Sequence, residues 1–371
     1  MLRSPRQPNP HATQAMIAPH DFPGGEPQTR PSSAAWRGGL FLAAAAALVA
    51  AAAVVRRRCE QAERENPPLG KFVEVDGVRL HYMERGSGQP LVLIHGMGSM
   101  IPDFVLSGLV DRAAEKYRVI VFDRPGYGYS ERPRTRLWSP QVQAALLHHA
   151  LRKLGIEQAI VAGHSWGTQV ALAMALNFPG FVTSLVLLSG YYYPTARVDV
   201  PLLSPPAVPV IGDLMRYTIS PLLGRLLWPA VMRRIFGPAP VSPGFSEFPV
   251  WLSLRPSQLR ASAADTAFLI PAAVGLSRRY AELHMPVVIM AGDADRYVNT
   301  GAHSLRLHKA IAHSDLALQP GAGHMIHHLA PEAVMAAIAR AAHLGASIHG
   351  TQSSATITPL PTMYQSPPHM H

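Results

Sequence analysis

Gly163-His164-Ser165-Trp166-Gly167 stands between an apolar run, Ala159 to Ala162, and an alanine-rich amphipathic stretch, Thr168 to Phe178. The first reads as the end of a buried strand and the second as a helix, which puts Ser165 on a strand-to-helix turn. Flanking glycines let the turn be tight and let the helix approach the neighbouring strand. Such a turn would lift the Ser165 hydroxyl above the sheet edge, near a helix N-terminus whose free N–H groups favour developing negative charge. The same serine could instead be only a helix N-cap between turn glycines. A serine hydroxyl is a weak nucleophile unaided, so the catalytic reading needs a base and an acid elsewhere in the chain.

The surroundings of this turn repeat its pattern. Phe72 to Tyr82 alternates apolar and polar residues on both sides of Asp76-Gly77, the signature of an antiparallel hairpin. Pro90 to His95 is a continuous apolar run, expected of a strand covered on both faces, and it ends in His95-Gly96-Met97-Gly98. A helical stretch (Asp103 to Lys116), a strand (Arg118 to Phe122), the loop Asp123 to Ser130 and a helix (Pro140 to Leu154) precede the serine turn. Val182 to Leu188 supplies another strand. From Tyr191 to Leu283 the alternation breaks into a stretch rich in Pro, Leu, Trp and Arg with helical pieces. Pro286 to Met290 resumes the strand pattern and closes in Ala291-Gly292-Asp293-Ala294-Asp295. A helix (Thr300 to Ile311), a strand (Asp315 to Gln319), the loop Pro320 to His324 and a helix (Pro331 to Ala342) complete the series. Repeated strand–helix units imply an α/β fold, a mostly parallel sheet with helices on both faces. The expected core is 72–190 with 284–344. Residues 191–283 form a helical cap over the C-terminal edge of the sheet, where open α/β sheets place ligands.

Asp295 follows one late strand and His324 follows the next, and loops at the ends of neighbouring strands converge on one sheet edge. His324 would take the Ser165 proton and return it to a leaving group, while Asp295 would hold the imidazole tautomer. Asp293 competes for that role; Asp295 is preferred because Asp293 sits nearer the strand end and could brace the loop. The backbone N–H groups of Met97 and Trp166 would form an oxyanion hole. His95, His164, His327 and His328 read as hydrogen-bonded structural residues rather than catalysts.

Four ordered motifs, His95 to Gly98, Asp123 to Ser130, Gly163 to Gly167, and Gly292-x-x-Asp295 with Gly323-His324, resemble those of the α/β-hydrolase fold superfamily in its capped branch. The resemblance covers about residues 70 to 344 and implies Ser165 as nucleophile, Asp295 as acid and His324 as base. Relatives with this local sequence often carry aspartate as nucleophile, as epoxide hydrolases and haloalkane dehalogenases do; serine here argues against both. Asn299 departs from the family, many of whose members have proline after the acid loop. The expected activity is hydrolysis of a small apolar carboxylic ester through an acyl-enzyme, with no metal or organic cofactor. Carbon–carbon bond hydrolysis, cofactor-free perhydrolysis and acyl transfer could use the same triad, and a non-catalytic anchored binding module is the alternative from another class. Tyr191, Tyr192, Tyr193, Trp228, Phe236 and Trp251 in the cap would roof an apolar pocket or simply pack cap against core.

Composition limits the rest. The single cysteine, Cys59, excludes an intramolecular disulfide framework, and the 18 histidines are scattered without zinc-site spacing. A formal charge of +10 suits anionic lipid headgroups, whereas the arginines form no aromatic-interleaved patch for nucleic acid. Residues 1–37 read as a disordered leader, 56–71 as a linker and 345–371 as a disordered tail. Between leader and linker, Leu40 to Val55 is free of charge. With Gly38 and Gly39 it is 18 residues, about 27 Å as a helix against a hydrocarbon core near 30 Å. A single-pass anchor, a signal peptide and a soluble alanine-rich helix all fit, the anchor best. Arg56, Arg57 and Arg58 then place the C-terminal domain on the cytoplasmic face. Cys59 beside the span could be palmitoylated in a eukaryote, although a juxtamembrane cysteine is more often inert.

Overall fold

The computed structural model describes residues 33–354, with side chains from Trp36 to Ser347. The described residues fall into two units, one ending at Ala46 and the other beginning at Ala47. The described part of the first is the start of α1 (Ser33–Glu65), whose residues from Trp36 to Ala46 are all exposed. The linker expected over 56–71 is helical as far as Glu65, because Arg56–Glu60 and Gln61–Glu65 pairs one turn apart continue the helix and no proline intervenes before Pro67. The leader expected to be disordered through residue 37 is helical from Ser33, and residues 1–32 lie outside the described residues.

The second unit is built on eight strands: β1 (Lys71–Val75), β2 (Val78–Arg85), β3 (Gln89–Ile94), β4 (Tyr117–Phe122), β5 (Ala159–His164), β6 (Val182–Leu188), β7 (Val287–Gly292) and β8 (Ser314–Gln319). Their order is β1-β2-β4-β3-β5-β6-β7-β8, with β2 antiparallel to both its neighbours, β1 and β4, and every other pair parallel. Strands β3 to β7 are the apolar runs of the sequence, and each face of them is covered. Val92, Ile94 and Val161 pack toward α4 (Pro140–Lys153) and α5 (Gly167–Asn177). Leu91, Leu93, Ile160 and Ala162 pack toward α2 (Ile101–Leu106), α3 (Leu109–Ala114) and α13 (Pro331–Ser354). Alternation along a strand thus becomes two apolar layers.

The single helix expected over 103–116 is two, interrupted at Ser107-Gly108, where Gly108 takes φ +72°. Between Thr300 and Ile311 a wide π turn (Gly301–Leu305) leads into α11 (Arg306–Ala310). The disordered tail expected from 345 is helical to Ser354. Gly345 still lies against β6, since a Cβ there would come within 3.1 Å of the Thr183 carbonyl; residues 355–371 lie outside the described residues. Between β6 and β7 the chain forms α6 (Asp199–Leu203), α7 (Ile211–Tyr217), α8 (Ile219–Phe236), α9 (Val250–Ser253) and α10 (Pro256–Ser277), with no strand among these described residues.

From β3 the chain passes to β4 on one side and, after α4, to β5 on the other. The C-terminal ends of β3 and β5 therefore flank the point where the order of strands reverses, with Ile94 paired to Gly163. Ser165 leaves β5 at φ +54°, a left-handed conformation costly for a side chain with a Cβ. The turn closes because α5 enters against β3: a Cβ on Gly167 would stand 2.3 Å from the Ile94 carbonyl oxygen. Gly167→Ala is therefore expected to destabilise the fold by at least ~2 kcal/mol. Gly275→Ala in α10, where a Cβ meets nothing within 4 Å, is expected to stabilise it by roughly 0.5–1 kcal/mol. Urea unfolding of both variants checks the pair.

Candidate active site

Three loops at the C-terminal edge of the sheet bring Ser165, His324 and Asp295 together. The Ser165 hydroxyl lies 2.8 Å from His324 Nε2, and His324 Nδ1 lies 2.7 Å from Asp295 Oδ2. With Nδ1–H donating to the carboxylate, Nε2 is left to accept the serine proton. Asp295 Oδ1 accepts from the amides of Tyr297 (2.7 Å) and Val298 (2.9 Å). Burial pushes the Asp295 carboxyl up, but the His324 ring and these amides outweigh it and hold the pKa below the usual carboxylate value. Asp293 points elsewhere and accepts from the Gly321 amide at 2.7 Å, bracing the loop that leads to His324. The His324 amide donates to the Ile235 carbonyl at the end of α8 (2.9 Å), so the cap holds this loop as well.

Across from the serine, the backbone at Gly96 lies against the Ser165 side chain. Met97 follows Gly96 in the loop after β3, and Trp166 follows Ser165 in the turn after the adjacent strand β5. The shape of the 95–97 loop is fixed from behind by Arg124. This wholly buried guanidinium donates to the carbonyls of His95 (2.9 Å) and Gly96 (3.0 Å), to Gln143 of α4 (2.9 Å) and to Asp265 of α10 (2.7 Å). Asp265 also accepts from the Tyr127 hydroxyl (2.8 Å) and from Arg132 (3.0 Å). The Trp166 indole N–H donates to the Asp265 carbonyl, and the Arg124 guanidinium sits 4.4 Å from the centres of both the Trp166 and Tyr127 rings. Asp123, first in the same loop, gathers His81 Nδ1 and the amides of Ile101 and Tyr129. The sequence marks Asp265 only as the lone charge among α10's apolar and small residues after Arg260; its partner Arg124 is 141 residues away.

The four other histidines singled out in the sequence each make a hydrogen bond. His95 Nδ1 donates to the Gly96 carbonyl and Nε2 accepts from the Arg124 amide. His164 Nε2 donates to the His324 carbonyl at 3.1 Å. Asp103 of α2 accepts from His327 (3.1 Å) and His328 (2.8 Å), around α12 (Ile326–Leu329), and from the Ser99 hydroxyl (2.6 Å). Burial alone would raise the Asp103 carboxyl, but these donors hold it well below the usual value. The ligand-type atoms of Asp103, His327 and His328 lie within 4.8 Å of one another, the spacing of a metal site, yet they already bond each other. The cluster fastens the segment after His324 to α2. Of the cap aromatics, Tyr191, Tyr192 and Tyr193 are buried with the sheet layer, while Phe236, Trp228 and Trp251 belong to a separate cluster with Ala62, Met100 and Met325. A cavity of about 300 Å³ among Asn66, Leu69, Met100, Tyr129 and Leu252 does not include Ser165 in its lining.

Burial, helped by Arg124, brings the His95 pKa down to about 4, and burial with Arg197 does the same to His303. His164 and His327 are lowered chiefly by burial. Below the ordinary value near 6.5 the unfolded chain takes up protons that His95 and His303 refuse until about pH 4, so stability falls as pH drops through that window. The depressed carboxyls of Asp295 and Asp103 act lower: their contribution is lost only below the ordinary carboxylate pKa. His95 alone should cost about 2 kcal/mol between pH 7 and pH 5. Urea unfolding at the two pH values should show at least that loss, reduced by a similar amount in His95→Gln; equal stabilities would contradict it.

Residues 89–331 match the α/β hydrolase fold family. Over 130 residues the chain is 37% identical to a 2-hydroxymuconate semialdehyde hydrolase of Pseudomonas putida, covering 34% of this chain and 45% of that protein. The chain thus aligns with less than half the length of that relative. A longer match, 26% identical over 271 residues, covers 70% of this chain and 91% of a 2-hydroxy-6-oxo-2,4-heptadienoate hydrolase of Pseudomonas putida. Among solved structures, a membrane phospholipase A described as a bacterial virulence factor is similar at a TM-score of 0.56 and 22% identity. That likeness is one of fold and covers 86% of this chain and 96% of the other. The family match takes in the sheet from β3 onward, the turn at Ser165 and the loop of His324, and the chain belongs to the α/β-hydrolase fold family.

Proposed function

We propose that this chain hydrolyses a carboxylic ester through an acyl-enzyme on Ser165. The observation that carries the reading is the unbroken relay from Ser165 Oγ through His324 to Asp295, on a serine held at φ +54°. His324 Nε2 takes the hydroxyl proton as Oγ attacks the ester carbonyl. The tetrahedral oxyanion is met by the amides of Met97 and Trp166, and Asp295 stabilises the imidazolium that forms. His324 then gives its proton to the departing alcohol. Water, deprotonated by the same ring, attacks the acyl-enzyme, and the carboxylic acid leaves as the proton returns to Ser165. Arg124 acts by holding the Gly96 carbonyl away from the oxyanion and turning the loop's amides toward it.

The apolar helix α1 supports an ester of the lipid phase. Trp36–Glu65 is long and apolar enough to cross a membrane by length and composition. We assign Leu40–Val55 as the span, with the catalytic domain on the cytoplasmic side as Arg56, Arg57 and Arg58 favour. Helix α10 is also long and apolar enough, but many of its residues are buried and it carries Asp265 into the Arg124 network, so it belongs to the cap. The likeness to a membrane phospholipase A agrees with this substrate class. Carbon–carbon hydrolysis on the same triad is the second reading, favoured by the 37% identity to a semialdehyde hydrolase.

Purified full-length protein should turn over p-nitrophenyl esters of graded chain length. Ser165→Ala and His324→Ala should each lower kcat by roughly a thousandfold or more. Asp295→Asn should be crippling, whereas Asp293→Asn should change kcat by only a few fold. Retention of a tenth of the activity in Ser165→Ala would remove the nucleophile assignment. Turnover of a ring-cleavage dienoate without turnover of any ester would favour the second reading.

A further inference from the structure

Among the described residues outside α1, seventeen large apolar side chains are exposed, and thirteen of them lie between Val198 and Val231. They come from α6, α7, α8 and their connections. Helix α8 is fastened by one edge only: Met232 and Phe236 are buried, whereas Ile219, Leu223, Leu226 and Val231 face outward, Leu226 at 75% exposure. Leu202 of α6 is also 75% exposed, and Val210 beside α7 is 79% exposed. A soluble surface rarely leaves so many neighbouring apolar groups in water.

The charge of this face is one-sided. Arg225, Arg233 and Arg234 of α8 are exposed. The only carboxylates between Val198 and Ser246 are Asp199 and Asp213, and both are neutralised, the first by Arg197 and the second by Arg134 and Arg216. An apolar face edged with unpaired arginines complements the interface of an anionic bilayer.

Its place relative to the span agrees. Val55, Cys59 and Ala62 of α1 are buried, and Glu63 pairs with Arg255 at 2.8 Å just before α10. Ala62 shares one apolar cluster with Met232 and Phe236 of α8. Only seven residues, about 10 Å of helix, separate Val55 from Ala62. With the run that ends at Val55 in a bilayer, the Met232–Phe236 end of α8 is tied to α1 within two helical turns of the span.

We propose that the exposed face of α6–α8 is a second membrane contact, lying in the interface of an anionic bilayer; this rests on the reading of α1 as an anchor. The test uses the full chain in vesicles of phosphatidylcholine and phosphatidylglycerol. Cysteine is introduced singly as Leu42→Cys, Leu202→Cys, Leu226→Cys or Leu318→Cys, the last on the edge strand β8, and labelled with an environment-sensitive fluorophore. Native Cys59 is buried, so the unsubstituted chain serves as the labelling blank. Turnover of a soluble ester verifies that each variant is folded. Labels at 202 and 226 should be quenched at least twofold by headgroup spin-labelled lipid and shielded from iodide, while that at 318 is quenched by iodide only. Arg225→Glu, Arg233→Glu and Arg234→Glu combined should return the label at 226 to the behaviour of 318. If 42 is quenched by lipid while 202 and 226 behave like 318, the cap does not dock although the anchor stands. If 42 itself meets no lipid, the anchor reading fails and the proposal with it. Shielding of 202 and 226 from both iodide and lipid would mean that a second copy of the chain covers the face, which also overturns the proposal.

Discussion

The guanidinium of Arg124 sits where the loop after β3, the start of α5 and the cap helix α10 converge, and it bonds to two of the three while stacking on the third. Neither it nor Asp265 reaches solvent. A buried pair of this kind contributes little net stability compared with apolar packing, because desolvation offsets the attraction. Losing one partner is different: the charge left behind costs roughly 3–5 kcal/mol. The pair therefore acts as a constraint. The cap cannot leave the sheet at α10 without exposing Arg124 to an unpaired, buried state, and the 95–97 loop cannot rearrange without giving up two charge-assisted hydrogen bonds. Ser165 inherits a fixed neighbourhood from both.

The cap is tied in at a second place. The Ile235 carbonyl receives the His324 amide, and Asp103 collects His327 and His328 from the turn that follows. The loop carrying His324 is thus held from the cap on one side and from α2 on the other, which keeps the imidazole between Ser165 and Asp295.

Strands β3, β5 and β7 are legible in the sequence because burial on both faces leaves an apolar run, and each run leads into a loop that carries part of the site: His95 to Met97, Ser165 or Asp295. The parallel α/β character follows from their alternation with helices. Helix ends are less legible. The extension of α1 to Glu65 depends on pairs such as Arg56–Glu60, and that of α13 on a glycine that still packs against β6. The Arg124–Asp265 and Asp103–His327 contacts span 141 and 224 residues. No local pattern announces such partners; an isolated acid in an apolar helix says only that one must exist.

Whether the relay makes Ser165 a nucleophile is measured directly by covalent capture. Full-length protein is treated with a fluorophosphonate and digested, and the adduct is located by mass spectrometry with its rate of formation. One adduct on the peptide containing Ser165, formed at least a hundredfold more slowly in His324→Ala, is the predicted result. An adduct on another residue, or a rate indifferent to His324, would contradict the account.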